Sequence, residues 1–136
     1  PVAGYDGTLV AENLLQGNRR AADYPAIPST VFTIPPLSSV GLSEQKAQEQ
    51  GYKFRVNHER TTGWNSSKRL REGASGYKVL IEEKTERILG AHLLGEHTED
   101  LINLFTLAIC HNLTADQVKE TLLSYPTFTY NVRYML

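Results

Sequence analysis

GYKVLIEEKTERILGAHLLGEHTEDLINLFTLAI, running from Gly76 to Ile109, decides the fold. Tyr77, Val79 and Ile81 alternate with Lys78, Leu80 and Glu82, and period two over six residues predicts a strand. The polar tetrad Glu83-Lys84-Thr85-Glu86 reverses the chain, and Ile88 to Leu94 supplies a second strand. That strand is largely apolar on both sides, so it is expected at the centre of its sheet and covered on both faces. Gly95 breaks it. Thr98-Glu99-Asp100 then sets a capping hydroxyl and two carboxylates where a helix N-terminus favours them. Leu101, Leu104, Phe105, Ala108 and Ile109 follow at helical spacing, and Ile102 and Leu107 widen the stripe. A helix apolar over most of its girth buries more than one face, in a thick core or against a partner.

Composition bounds what such a chain does. Its 136 residues fit one domain able to bury roughly two thirds of its unfolded surface. With a formal net charge of −1 it carries no basic field for phosphate-driven nucleic-acid binding. No run approaches the roughly 18 apolar residues of a membrane-spanning helix, and no signal-peptide pattern opens the chain. The single cysteine, Cys110, excludes an internal disulfide framework and fits a reducing cytoplasm. The start at Pro1-Val2-Ala3, without a methionine, suggests a piece of a longer protein.

Working outward, residues 1–17 read as a helix with Gly17 as its stop; Gly4 and Gly7 weaken the first turn, so regular helix is expected from near Asp6. Residues 18–28 are polar, carry Pro25 and Pro28, and read as a linker. Val31 to Ile34 reads as a short strand ended by Pro35-Pro36. Ser43 caps a short helix that Gly51 stops. Tyr52, Phe54, Val56 and His58 alternate with Lys53, Arg55 and Asn57, giving a strand with one wet face. Thr61 to Ser75 reads as a loop or loose strand anchored by Trp64. Thr114 and Gln117 form a capping box, with Val118, Leu122 and Leu123 on the inner face of the helix that follows and Pro126 ending it. The tail from Thr127 to Leu136 is too apolar to stay solvated, and must pack on this domain, a second copy or another domain.

The residues imply an α+β fold: an antiparallel sheet of four or five strands with helices on one face, preceded by a separate N-terminal helix. Candidate chemistry is sparse. The histidines His58, His92, His97 and His111 show no i,i+4 or short Cys/His spacing, so no metal site is expected. Cys110 reads as a buried structural thiol without a cation to stabilise a thiolate. The acidic pairs Glu82-Glu83 and Glu99-Asp100 are explained by a turn and a helix start. No phosphate loop, Gly-x-Gly-x-x-Gly or nucleophile elbow occurs.

The hairpin ending ILGAHLLG with its acidic helix start and LIN, the run TVFTIPPLSSVGLSEQKA and the opening Pro-x-Ala together resemble the C-terminal interface domain of the flavin-dependent disulfide reductases. That superfamily includes glutathione reductase, dihydrolipoamide dehydrogenase and mercuric reductase. The resemblance implies that 1–17 is the last helix of an FAD-binding domain, with Pro1, Val2 and Ala3 beside the flavin, that 18–28 is a linker and that 29–136 is a dimerisation domain. It further implies a cytoplasmic homodimer whose parent carries its own FAD- and NAD(P)H-binding domains and passes electrons to a disulfide or another acceptor. This stretch alone is expected to bind neither cofactor. The alternative is a free-standing homodimeric interaction module without catalytic activity.

One departure stands out. The resembled enzymes carry a His-Pro-Thr in the tail and a Glu five residues after the His, an acid–base dyad that serves the neighbouring subunit. Here Pro126-Thr127 matches, but the two positions are Tyr125 and Tyr130. A phenol with a pKa near ~10 donates a proton or hydrogen bond and is a poor base at neutral pH.

Overall fold

A computed structural model describes the whole chain, residues 1–136. Five strands, β1 (Ser29–Val31), β2 (Leu37–Gly41), β3 (Phe54–Arg60), β4 (Gly76–Glu82) and β5 (Ile88–Leu94), form one antiparallel sheet in the order β1-β2-β5-β4-β3. The helices are α1 (Val2–Gln16), α2 (Glu44–Glu49), α3 (Asn65–Leu70), α4 (Thr98–Cys110), α5 (Ala115–Glu120) and α6 (Val132–Met135). The α+β architecture and the central place of β5 match the reading of the apolar run Ile88–Leu94.

The register explains the core. Val40 and Val79 flank Ala91, and Tyr77 lies opposite Leu93, so one face of the sheet presents a continuous apolar surface. Onto it α4 lays Leu101, Ile102, Phe105 and Ala108, all buried in one cluster with the strand residues. Phe105, only 1% exposed, is a core residue, whereas Leu107 on the outer side of α4 is 56% exposed. The short helix α2 reaches the other face. Its Glu44 pairs with Lys78 of β4, and His92 Nε2 lies 3.1 Å from Leu42 O. The backbone there is tight: Leu42 N–H donates to Leu89 O at 2.8 Å, and a Cβ on Gly90 would stand 2.1 Å from Leu42 O.

Several local expectations are corrected. The first strand is Ser29–Val31 rather than Val31–Ile34, leaving Phe32 and Ile34 80% and 97% exposed. Pairing ends at Val31 opposite Leu37, because Pro35 and Pro36 have no N–H to extend the ladder. β2 escaped the sequence reading because its inward positions include a serine. Ser38 is fully buried, with its hydroxyl 2.9 Å from Thr30 Oγ1 and donating to Thr98 Oγ1 at 3.2 Å. Thr98 in turn donates to Pro36 O at 3.3 Å, so its hydroxyl ties α4 to the start of β2 instead of capping the helix. The N-cap is His97, in the left-handed region at φ 63°.

Edge position decides β3. Val56 and His58 of its supposed apolar face are exposed, while Arg55 forms a two-pronged pair with Glu86 at 2.6 and 2.5 Å and Asn57 donates to Met135 O at 3.3 Å. The loop after β3 contains α3. The capping box at Thr114 is present, Gln117 N–H donating to Thr114 Oγ1 and Thr114 N–H to Gln117 Oε1. Helix α5 stops at Glu120, however, leaving Leu122 97% exposed rather than inward. Helix α1 starts at Val2 rather than near Asp6. Its interactions run to the linker: Asn13 accepts from the N–H groups of Arg19 and Arg20, and Tyr5 packs edge-on to Tyr24. Of the three surfaces open to the tail, it takes its own domain, burying Val132, Met135 and Leu136 in the main core.

Gly90→Ala is expected to lose about 3 kcal/mol or more of unfolding free energy, since the Leu42 backbone against it cannot yield to the new methyl. Leu122→Ala is expected to fall within about 0.5 kcal/mol of the parent. Urea denaturation of the two variants in parallel checks both.

Candidate functional site

Two segments converge on an open groove of about 1150 Å³: the turn Gly63–Arg69 leading through α3, and the tail from Tyr125 to Tyr134. Val132 and Met135 root the tail in the core, and the 3-10 turn Thr129–Asn131 is pinned by Asn131 Nδ2 donating to Ser66 Oγ at 2.8 Å. Thr127 Oγ1 accepts from Tyr130 N–H at 3.1 Å and donates to Ser124 O at 2.7 Å, closing the segment between the two tyrosines. A cis peptide joins Tyr125 to Pro126. The tail is therefore ordered by hydrogen bonds and still presents Tyr125 74% exposed.

The structure brings Tyr125 and Tyr130 together, ring centroids 5.0 Å apart at 73°. Contacts continue from Tyr130 to Tyr134 at 5.8 Å, from Tyr134 to Trp64 at 6.2 Å and from Trp64 to Tyr77 at 5.8 Å. Tilted and edge-on geometries of this kind suit the ring quadrupoles. The Arg133 guanidinium stands over Tyr130 at 5.4 Å and over Tyr134 at 5.8 Å. The Tyr134 hydroxyl, helped by Arg133, holds the Tyr130 phenol below the usual tyrosine range, and the same contact raises Tyr134. Burial, with the nearby Glu59 carboxylate, raises Tyr77. Lys68 and Arg69 against Glu59 leave the groove with an excess of positive side chains.

Pro1, Val2 and Ala3 do not join this site; they start α1 and line no part of the groove. Nor do the residues present cradle a dinucleotide. Gly4 and Gly7 lie inside α1, and Gly41 and Gly95, at strand-to-helix turns, are closed over by Leu89 O and by Ser75 with Glu72. A trio passed over in the sequence is His97, Glu99 and Asp100, whose ligand atoms lie within 4.8 Å of one another. Glu99 Oε2 is buried there without a hydrogen bond. All three sit at the N-terminus of α4, whose dipole opposes a cation. Their spacing of i, i+2 and i+3 only converges because His97 takes a left-handed conformation, which sequence pattern does not reveal.

Residues 27–136 match the family model for the pyridine nucleotide-disulphide oxidoreductase dimerisation domain. The chain belongs to that family. It is 40% identical over its whole length to an uncharacterized 19.7 kDa protein in a mercuric resistance operon of Staphylococcus aureus, covering 76% of that protein. It is 32% identical to the mercuric reductase of Bacillus cereus and 35% identical to the dihydrolipoyl dehydrogenase of Chlamydia muridarum. Of those two enzymes the chain spans only 21% and 27% of the length. Among solved structures, a Cu(II) complex of the HOCl-induced flavoprotein disulfide reductase RclA from Escherichia coli (C43S mutant) superposes with a TM-score of 0.86 at 26% identity. The match covers 96% of this chain and 30% of that one. No helix is long and apolar enough to cross a membrane.

In a tyrosine titration followed by NMR of ring carbons, Tyr130 is expected to ionise at lower pH than Tyr134. Tyr134→Phe and Arg133→Gln are each expected to return Tyr130 upward, since both groups hold it down.

Proposed function

We propose that this chain is the dimerisation domain of an FAD- and NAD(P)H-dependent, glutathione-reductase-like oxidoreductase of the cytoplasm. In this reading residues 1–17 end the FAD-binding domain, 18–28 link, and 29–136 build the two-fold interface. FAD and NAD(P)H belong to the parent's upstream domains, with Pro1, Val2 and Ala3 approaching the flavin only there. The family match supports the interface role. The carrying observation is the exposed Tyr125, stacked on the half-buried Tyr130, on a tail anchored in its own core. That tail is fit to be handed to a partner without refolding.

When bound, the flavin supplies electrons. What this chain adds is positioning and a hydrogen-bond donor. Tyr125, in the place of the family's histidine, offers a hydroxyl donor, and a phenol is a poor general base. Losing a positioned acid–base group costs about 10²–10⁴-fold in rate. The parent is accordingly a poor glutathione reductase and passes electrons to an acceptor that needs no such base. A second reading, a free-standing homodimeric module, is favoured by the 19.7 kDa relative, of which the chain covers 76%. Either reading needs a dimer.

Leu107→Glu on the outer face of α4 is expected to convert a dimer burying on the order of 2,000 Å² into folded monomer. Phe105→Glu, in the core, is expected to unfold the chain. Sedimentation with circular dichroism separates the two, and a wild-type chain that stays monomeric refutes the interface. In the full-length parent, Tyr125→His with Tyr130→Glu is expected to raise glutathione disulfide reduction. A wild-type kcat/KM already at roughly 10⁶ M⁻¹s⁻¹ contradicts the argument from the missing base.

A further inference from the structure

The aromatic contacts in the groove form a line rather than a cluster. Five rings follow one another, Tyr125, Tyr130, Tyr134, Trp64 and Tyr77, with centroid separations of 5.0, 5.8, 6.2 and 5.8 Å. One end is buried, Tyr77 being 6% exposed, and the other opens to water at Tyr134 and Tyr125, 56% and 74% exposed. Packing alone would favour hiding the outer rings, since burying an aromatic is worth more than its edge contacts. We propose that this line is a one-electron relay, which carries an oxidising equivalent arriving at Trp64 outward through Tyr134 and Tyr130 to Tyr125, away from the sheet core.

Each step balances. A small diffusing oxidising radical, of the class to which the azide radical belongs, reaches the half-buried Trp64 ring, takes one electron from the indole and is reduced to its anion, and the indole N–H proton passes to water. Tyr134 then gives an electron to the indolyl radical and its phenolic proton to solvent, which reprotonates the indole; a phenoxyl radical remains on Tyr134. The next phenol repeats the exchange, and at the exposed end a thiol in solution returns a hydrogen atom, leaving a thiyl radical. Without a thiol, two oxidation events, each removing one electron and one proton, leave phenoxyl radicals on Tyr125 and Tyr130; these couple to a carbon–carbon bond and rearomatise with no further loss, so the pair ends two hydrogens short. Arg133, 5.4 Å over the Tyr130 ring, holds the ring stack through which the outer steps run.

Trp64 is the only tryptophan, so its radical is read without ambiguity. Pulse radiolysis with azide radicals, which oxidise indoles selectively, generates that radical in the 136-residue chain. The expected result is first-order conversion of the indolyl to the phenoxyl absorption at a rate independent of protein concentration. Tyr134→Phe, which removes one exposed hydroxyl and keeps the ring, is expected to slow it by about tenfold or more. Tyr5→Phe, Tyr24→Phe and Tyr52→Phe, off the line, leave the rate unchanged. Exhaustive oxidation without thiol is expected to remove two hydrogens from the tryptic peptide holding both Tyr125 and Tyr130, and added thiol to prevent this. Decay that is only bimolecular, a Tyr134→Phe rate equal to wild type in a variant of unchanged circular dichroism, or a cross-link elsewhere overturns the relay.

Discussion

Gly90 lets the backbone of Leu42 lie against the middle of β5, and the rest of the domain depends on that contact. With no side chain on one face of the central strand, the chain leaving β2 crosses it and turns directly into α2. The crossing is fixed by the Leu42 N–H to Leu89 O bond and by His92 beside Leu42 O. Because the strand pleat alternates, what the crossing claims on one face frees Ala91 and Leu93 for the other. There α4 packs Ile102 and Phe105 without competition. A side chain at residue 90 would press on the Leu42 backbone that joins β2 to α2, and backbone does not change rotamer.

From that core the tail inherits its stiffness. Met135 O receives Asn57, Tyr134 O receives the Tyr77 hydroxyl at 3.2 Å, and Val132 is wholly buried. These anchors lie at the very end of the chain, so the preceding segment is held from behind and Tyr125 projects outward. An element built this way presents side chains with little further loss of freedom on association, which is what a residue contributed across a subunit interface requires.

The hairpin and α4 were legible because their residues obey one period at a time. Ile88–Leu94 reads as a two-sided strand and is one, with bounds as expected. What stayed hidden is polar residues doing apolar work. Ser38 in β2 and Thr98 in α4 bury their hydroxyls against each other, and a pattern reader sees a turn and a cap instead. The edge strand β3 misled in the opposite sense: Val56 looks like core but faces beyond the reach of the six-residue α2, while Arg55 and Asn57 find partners on the covered side. At the site, Pro126-Thr127 located the tail through family resemblance. The convergence of Trp64 with the tail tyrosines joins residues 61 or more positions apart, and local sequence carries no signal of that kind.

Two phenols, Tyr125 and Tyr130, set what the end of this domain exchanges with its surroundings. A phenol is a poor proton carrier near neutral pH, and Tyr134, helped by Arg133, holds the Tyr130 phenol below the usual tyrosine range. What phenols do at neutral pH is donate hydrogen bonds, stack, and lose an electron together with a proton. The geometry found here serves the second and third better than the first: the rings touch edge to face, and no acceptor is aligned on the Tyr125 hydroxyl. A tail rigid enough to keep those contacts, on a fold that its relatives use to join subunits, is suited to chemistry in which charge moves one electron at a time instead of one proton at a time.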